Sequence, residues 1–101
     1  MKKCCQDFLM EQFDDQDVVN EIYGEYASSV KEKIDEAEAA LASEEWTPLD
    51  RVAHAIKGNA LATGDNDVAN AAIALRIAAK LTDKAEARAQ LDKIKELAKD
   101  I

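Results

Sequence analysis

Apolar residues recur at spacings of three and four along most of the chain, which predicts amphipathic helices throughout. The longest stripe predicts a helix over about 15–42 and consists of Val19, Tyr23, Tyr26, Val30, Ile34, Ala37 and Leu41. A shorter stripe predicts an N-terminal helix within residues 1–14 and consists of Cys5, Phe8, Leu9, Gln12 and Phe13. Asp14 and Asp15 interrupt the pattern between them and can cap the longer helix.

The stretch TPLD predicts the start of a third helix. Thr47 is expected at the N-cap, with Pro48 at the first helical position, where a missing N–H does no harm. Asp50 then falls at the third position and completes a capping box. The helix should end after about residue 62, closed by Thr63 and by Gly64 in the left-handed conformation. Its apolar face consists of Leu49, Val52, Ala53, Ile56 and Ala60.

Two further helices follow. One is capped by Asp65, Asn66 or Asp67, and the other by Asp83 with Glu86 as a second capping box. The stripe of the fourth helix consists of Val68, Ala72, Leu75 and Ala79, with Ile73 and Ile77 expected to widen it. The last apolar face consists of Ala87, Leu91, Ile94, Ala98 and Ile101.

These elements predict an all-α fold, an antiparallel four-helix bundle over 15–101 with a short additional N-terminal helix over 1–14. The connections are short, which favours antiparallel neighbours, and the whole of 1–101 is expected to form one domain. Alanines on the facing stripes should let the last helices approach closely. One proline and three glycines are too few for the many turns of a β-sandwich.

Charge and cysteine usage exclude several classes of function. The net charge of −8 argues against binding to nucleic acid or to anionic membranes. No apolar run is long enough to cross a bilayer, and the start of the chain has no secretion signal. Cys4 and Cys5 are adjacent, without the C-x-x-C spacing of a zinc site, and Cys5 is expected to pack in the core. We expect a reduced, cytoplasmic monomer without a bound metal.

The chain's only histidine lies in the stretch VAHAIKGNALATG. On a helical wheel His54 falls about 140° from Leu49 and therefore faces outward. Its neighbours on that surface are Asp50, Arg51, Lys57, Gly58 and Leu61.

Gly58 inside this helix costs roughly 1 kcal/mol relative to alanine. Its missing side chain leaves one flank of the imidazole open, and Lys57 places a positive charge beside the ring. An exposed imidazole is mostly neutral near pH 7 and keeps a free lone pair. The site therefore has the character of an accessible nucleophile. The alternative is an ordinary surface histidine, with Gly58 allowing close packing of helices.

The pattern H-x-x-K-G-x-x-x-x-x-G, formed by His54, Lys57, Gly58 and Gly64, resembles that of histidine-containing phosphotransfer (HPt) domains. The likeness extends over about 16–97. It implies that His54 accepts a phosphoryl group from a receiver-domain aspartate and passes it on, supported by Lys57 and by the clearance at Gly58. The implied partners are response-regulator receiver domains and, as a further candidate, a hybrid sensor kinase. The receiver would supply Mg²⁺ and the acidic pocket, so this chain needs no cofactor.

Two positions depart from the family's pattern. Many members have a small apolar residue after the second glycine, where this chain has Asp65, and a glutamate where it has Arg76 after Leu75. Both are expected to lie away from the histidine surface.

Other functions fit less well. The glycines at 24, 58 and 64 form no phosphate-binding loop, so the chain is not expected to be an ATP-using kinase. A carboxylate-bridged metal bundle needs Glu-x-x-His pairs, but position 51 is an arginine. Residues 65–70 lack the glycine and glutamate of a calcium loop. A non-catalytic helical adaptor that binds a receiver or kinase remains the alternative.

Overall fold

The computed structural model describes all 101 residues, which form five helices. They are α1 (Lys3–Phe13), α2 (Gln16–Ala42), α3 (Trp46–Thr63), α4 (Asn66–Lys80) and α5 (Lys84–Ala98). Helices α2 to α5 form the antiparallel bundle, and α1 packs against α2 and α3. The predicted fold, including the additional N-terminal helix, is confirmed. No helix has both the length and the apolar character needed to span a membrane.

The predicted stripes of α2 and α5 form much of the core. All seven residues of the α2 stripe are buried, as are the first four residues of the α5 face. Cys5 is buried, as predicted, and Cys4 is exposed. In α4 the prediction for Ile73 and Ile77 is wrong, because these side chains are 40% and 54% exposed. The buried face of α4 widens in the other direction instead, through Ala71 and Ala78.

The interface between α3 and α4 is the most extensive in the bundle. Seven alanines are buried on these two helices, namely Ala53, Ala60, Ala69, Ala71, Ala72, Ala78 and Ala79. Small side chains let two helix backbones approach closely, and the contact then leaves little room for added volume.

Most of the predicted caps are present. Asp15 accepts from the backbone N–H groups of Asp17 and Val18 at the start of α2. Asp83 accepts from Glu86 N at 3.1 Å, at the start of α5. The reciprocal half of this capping box does not form, since Asp83 N donates to Ala78 O.

The predicted start of α3 is wrong. Glu45 occupies the N-cap, without a side-chain bond, and Leu49 N donates to its carbonyl at 3.0 Å. The reason is the tight reversal after α2, where Glu44 has φ 52° and Glu45 N donates to Ala40 O. The chain can then enter α3 at once. Pro48 becomes the third helical residue, and its missing N–H costs nothing because the first four N–H groups of a helix have no partner.

Gly64 ends α3 in the left-handed conformation, at φ 80°, as predicted. A side chain there would also collide with α1, because a Cβ atom would lie 2.5 Å from Phe8. The next residue, Asp65, is buried and caps α4 through Val68 N. Its carboxylate accepts from Tyr26 Oη and from Lys2 Nζ, both at 2.8 Å. These contacts fasten the N-terminal segment to the turn between α3 and α4.

We expect Ala72→Leu to destabilise the bundle by about 1–3 kcal/mol, because the added volume has no space at a fully buried position. Ala89→Leu is the matched control, since Ala89 is exposed on α5. Chemical denaturation followed by circular dichroism measures both free energies of unfolding. Equal stabilities of the two variants would contradict close packing at Ala72.

Candidate functional site

His54 lies in the third turn of α3 and is exposed, while Ala53 and Ile56 beside it are fully buried. The outward direction inferred from the helical wheel is therefore confirmed. The side-chain hydrogen bonds of α3 are made by Asp50, Asn59 and Thr63. Neither imidazole nitrogen of His54 is therefore occupied by a hydrogen bond within the chain.

Gly58 lies one turn after His54, and its surroundings are open. A Cβ atom built at this position would meet nothing within 4 Å. The alternative interpretation, that Gly58 permits close packing of helices, is therefore wrong. The space around Gly58 is open, and its role as a clearance beside His54 stays a prediction.

Lys57 is half-buried and takes part in no ion pair of the chain, so its charge is not committed to an internal carboxylate. Arg51 is exposed, and Leu61 is 48% exposed. Arg51 and Lys57 lie three residues before and after His54, and Leu61 lies two turns after it, so all three are on the same side of α3 as His54.

Asp50 has a different role from the one predicted. Its carboxylate does not cap α3 but crosses to α4, where Arg76 Nε donates to Oδ1 at 2.9 Å. Lys80 Nζ lies 3.8 Å from Oδ2. The hydrogen bond from Arg76 holds the pKa of Asp50 below its usual value, although partial burial opposes this shift.

This contact also corrects the expectation that position 76 lies away from the histidine surface. Arg76 reaches Asp50, one helical turn before His54. No pattern within α3 alone could reveal it, because the contact depends on how α3 and α4 are rotated against each other. The other departure, Asp65, is buried after the C-terminal end of α3 and so lies away from the histidine surface, as expected.

Polar contacts on two opposite sides define the orientation of α3. Asp50 bonds to Arg76 of α4, and Asn59 Nδ2 donates to Ser29 Oγ of α2 at 2.9 Å. Together with the buried stripe, these contacts hold the His54 side of α3 toward solvent.

The arrangement supports nucleophilic chemistry on a negatively charged group. It offers an accessible imidazole, an uncommitted lysine charge and space on one flank. The structure contains no group of three or more histidine, cysteine, aspartate or glutamate side chains that could hold a metal ion.

A protein-family model described as "Hpt domain" matches residues 21–101. The match contains α3 to α5 and most of α2, and therefore the whole surface around His54, whereas α1 lies outside it. Comparison with curated proteins gives no match, and neither does comparison with solved structures.

We expect Gly58→Gln to raise the free energy of unfolding by up to about 1 kcal/mol, because a mid-helix glycine is replaced without steric conflict. Gly24→Gln on α2 is a matched control, since its Cβ would also meet nothing within 4 Å. Denaturation curves of both variants measure the change. A loss of stability at position 58 alone would show that the glycine is needed by the fold.

Proposed function

The chain belongs to the Hpt domain family, whose members are phosphocarriers of two-component relays rather than enzymes, and from this premise we propose that His54 is the phosphoacceptor. The single observation that carries the proposal is the exposed imidazole beside an open flank at Gly58. His54 is also the only histidine of the chain.

In the proposed reaction a ring nitrogen of His54 attacks the phosphorus of an aspartyl phosphate on a receiver domain. A nitrogen–phosphorus bond forms, the acyl phosphate bond breaks, and the receiver's aspartate leaves as a carboxylate. The second ring nitrogen then carries the proton that the imidazole already held. The reverse reaction passes the phosphoryl group to another receiver. Such transfers depend on in-line positioning and on neutralising the transferred oxygens.

The neighbouring residues have supporting roles in this proposal. Lys57 supplies positive charge near the phosphoryl oxygens, and Gly58 gives the receiver room to approach the ring. Arg51, Leu61 and the partly exposed Asp50 belong to the proposed partner surface. The receiver supplies Mg²⁺ and its acidic pocket, and a hybrid sensor kinase is a candidate source of the phosphoryl group upstream.

We expect His54→Gln to abolish phosphate acceptance and to leave the helical signal and melting temperature nearly unchanged, because the residue is exposed. The measurement is transfer of labelled phosphate from a phosphorylated receiver, with the product tested for acid lability and base stability. Label retained by His54→Gln would refute the assignment. A helical adaptor would instead bind the receiver and take no label in either form.

Gly58→Gln should be folded and yet transfer poorly, because its side chain occupies the space beside His54. Gly24→Gln should transfer at the wild-type rate, since Gly24 lies on α2, outside the proposed partner surface. Initial transfer rates from one phosphorylated receiver compare the two variants. Equal rates would remove the proposed clearance role of Gly58.

A further inference from the structure

We propose that Arg76 is a positioning residue for the reaction of His54, because it neutralises the Asp50 carboxylate and holds it toward α4. This inference rests on the proposed phosphoacceptor role of His54. It adds a residue from the neighbouring helix to a site otherwise confined to α3.

Asp50 precedes His54 by four residues on the same helix. Side chains at this spacing are neighbours, with Cβ atoms about 5–6 Å apart. An aspartate that was free to turn along α3 could therefore approach the imidazole. In the structure it turns sideways instead, and both carboxylate oxygens face cations of α4.

Arg76 makes the closer of the two contacts. Its Nε donates to Asp50 Oδ1 at 2.9 Å, and each side chain of the pair is only about a quarter exposed. Lys80 lies at 3.8 Å, and its side chain is 61% exposed, so water screens its charge more strongly. Arg76 is thus the main partner that fixes the direction of the carboxylate.

A free Asp50 carboxylate would oppose phosphate acceptance in two ways. It would repel the negatively charged phosphoryl donor, and it could accept a hydrogen bond from the ring N–H and so compete for the orientation of the imidazole. Within one turn of His54, the charged residues of α3 are Asp50, Arg51 and Lys57, and the Asp50 carboxylate is paired with Arg76 and Lys80 of α4. The balance favours an incoming anion.

The test uses the full-length chain and phosphoramidate, a small anionic phosphoryl donor that needs no receiver. The initial rate of His54 labelling is measured by mass spectrometry for wild type, Arg76→Gln, Asp50→Asn and the double variant. Arg76→Lys is the conservative control, because it keeps the charge. Circular dichroism verifies that each variant is folded.

We expect Arg76→Gln to lower the labelling rate about threefold to tenfold at low salt, as for unit charges several ångströms apart near water. The defect should shrink as the ionic strength is raised from about 0.01 M to 1 M, since the Debye length falls from about 30 Å to about 3 Å. Arg76→Lys should retain most of the rate. Asp50→Asn combined with Arg76→Gln should recover nearly the wild-type rate, because the carboxylate that Arg76 restrains is gone.

Two results would overturn the inference while leaving the phosphoacceptor intact. In one, Arg76→Gln labels at the wild-type rate. In the other, Arg76→Gln has the same defect with and without Asp50, so that Arg76 acts on the phosphoryl group directly or through the fold. If the wild-type protein takes no label from either phosphoramidate or a phosphorylated receiver, the role of His54 itself is refuted, and this inference with it.

Discussion

Burial of the apolar stripe of α3 is the constraint on which the surface around His54 depends. Leu49, Ala53, Ile56 and Ala60 are fully buried. Burial of a side chain the size of leucine or isoleucine contributes about 1.5–3 kcal/mol, so rotation of α3 about its axis would expose Leu49 and Ile56 at considerable cost. The helix therefore has one stable orientation, and in it His54 faces solvent. The site requires no strained backbone and no buried charge at the histidine.

The surface around His54 differs in charge from the rest of the molecule. The whole chain carries −8, yet the charged residues within one turn of His54 on α3 are Arg51, Lys57 and Asp50, and the Asp50 carboxylate is bonded to Arg76 of α4. An acidic protein discourages non-specific contact with nucleic acid, while the positive charges of Arg51 and Lys57 favour a phosphorylated ligand. Fold and surface charge thus make separate contributions: the core orients the imidazole, and the side chains around it favour an anion.

Much of the fold could be predicted from local patterns in the sequence. The α2 stripe and the closure of α3 at Gly64 depend on spacing and on single-residue conformation, which the sequence displays directly. The predicted start of α3 is wrong because the reversal at Glu44, rather than Thr47 and Pro48, determines where the helix begins. The bond from Arg76 to Asp50 could not be predicted, because it depends on the relative rotation and register of two helices.

The most direct test of this account is a comparison of ¹⁵N-labelled protein before and after phosphorylation by two-dimensional NMR. If the core presents His54 without rearrangement, amide shifts should change along the exposed side of α3 and the facing part of α4. The amide chemical shifts of the buried stripe of α2, from Val19 to Leu41, should not change. Changes in amide chemical shift throughout the core, or a phosphoryl group on any residue other than His54, would contradict this account.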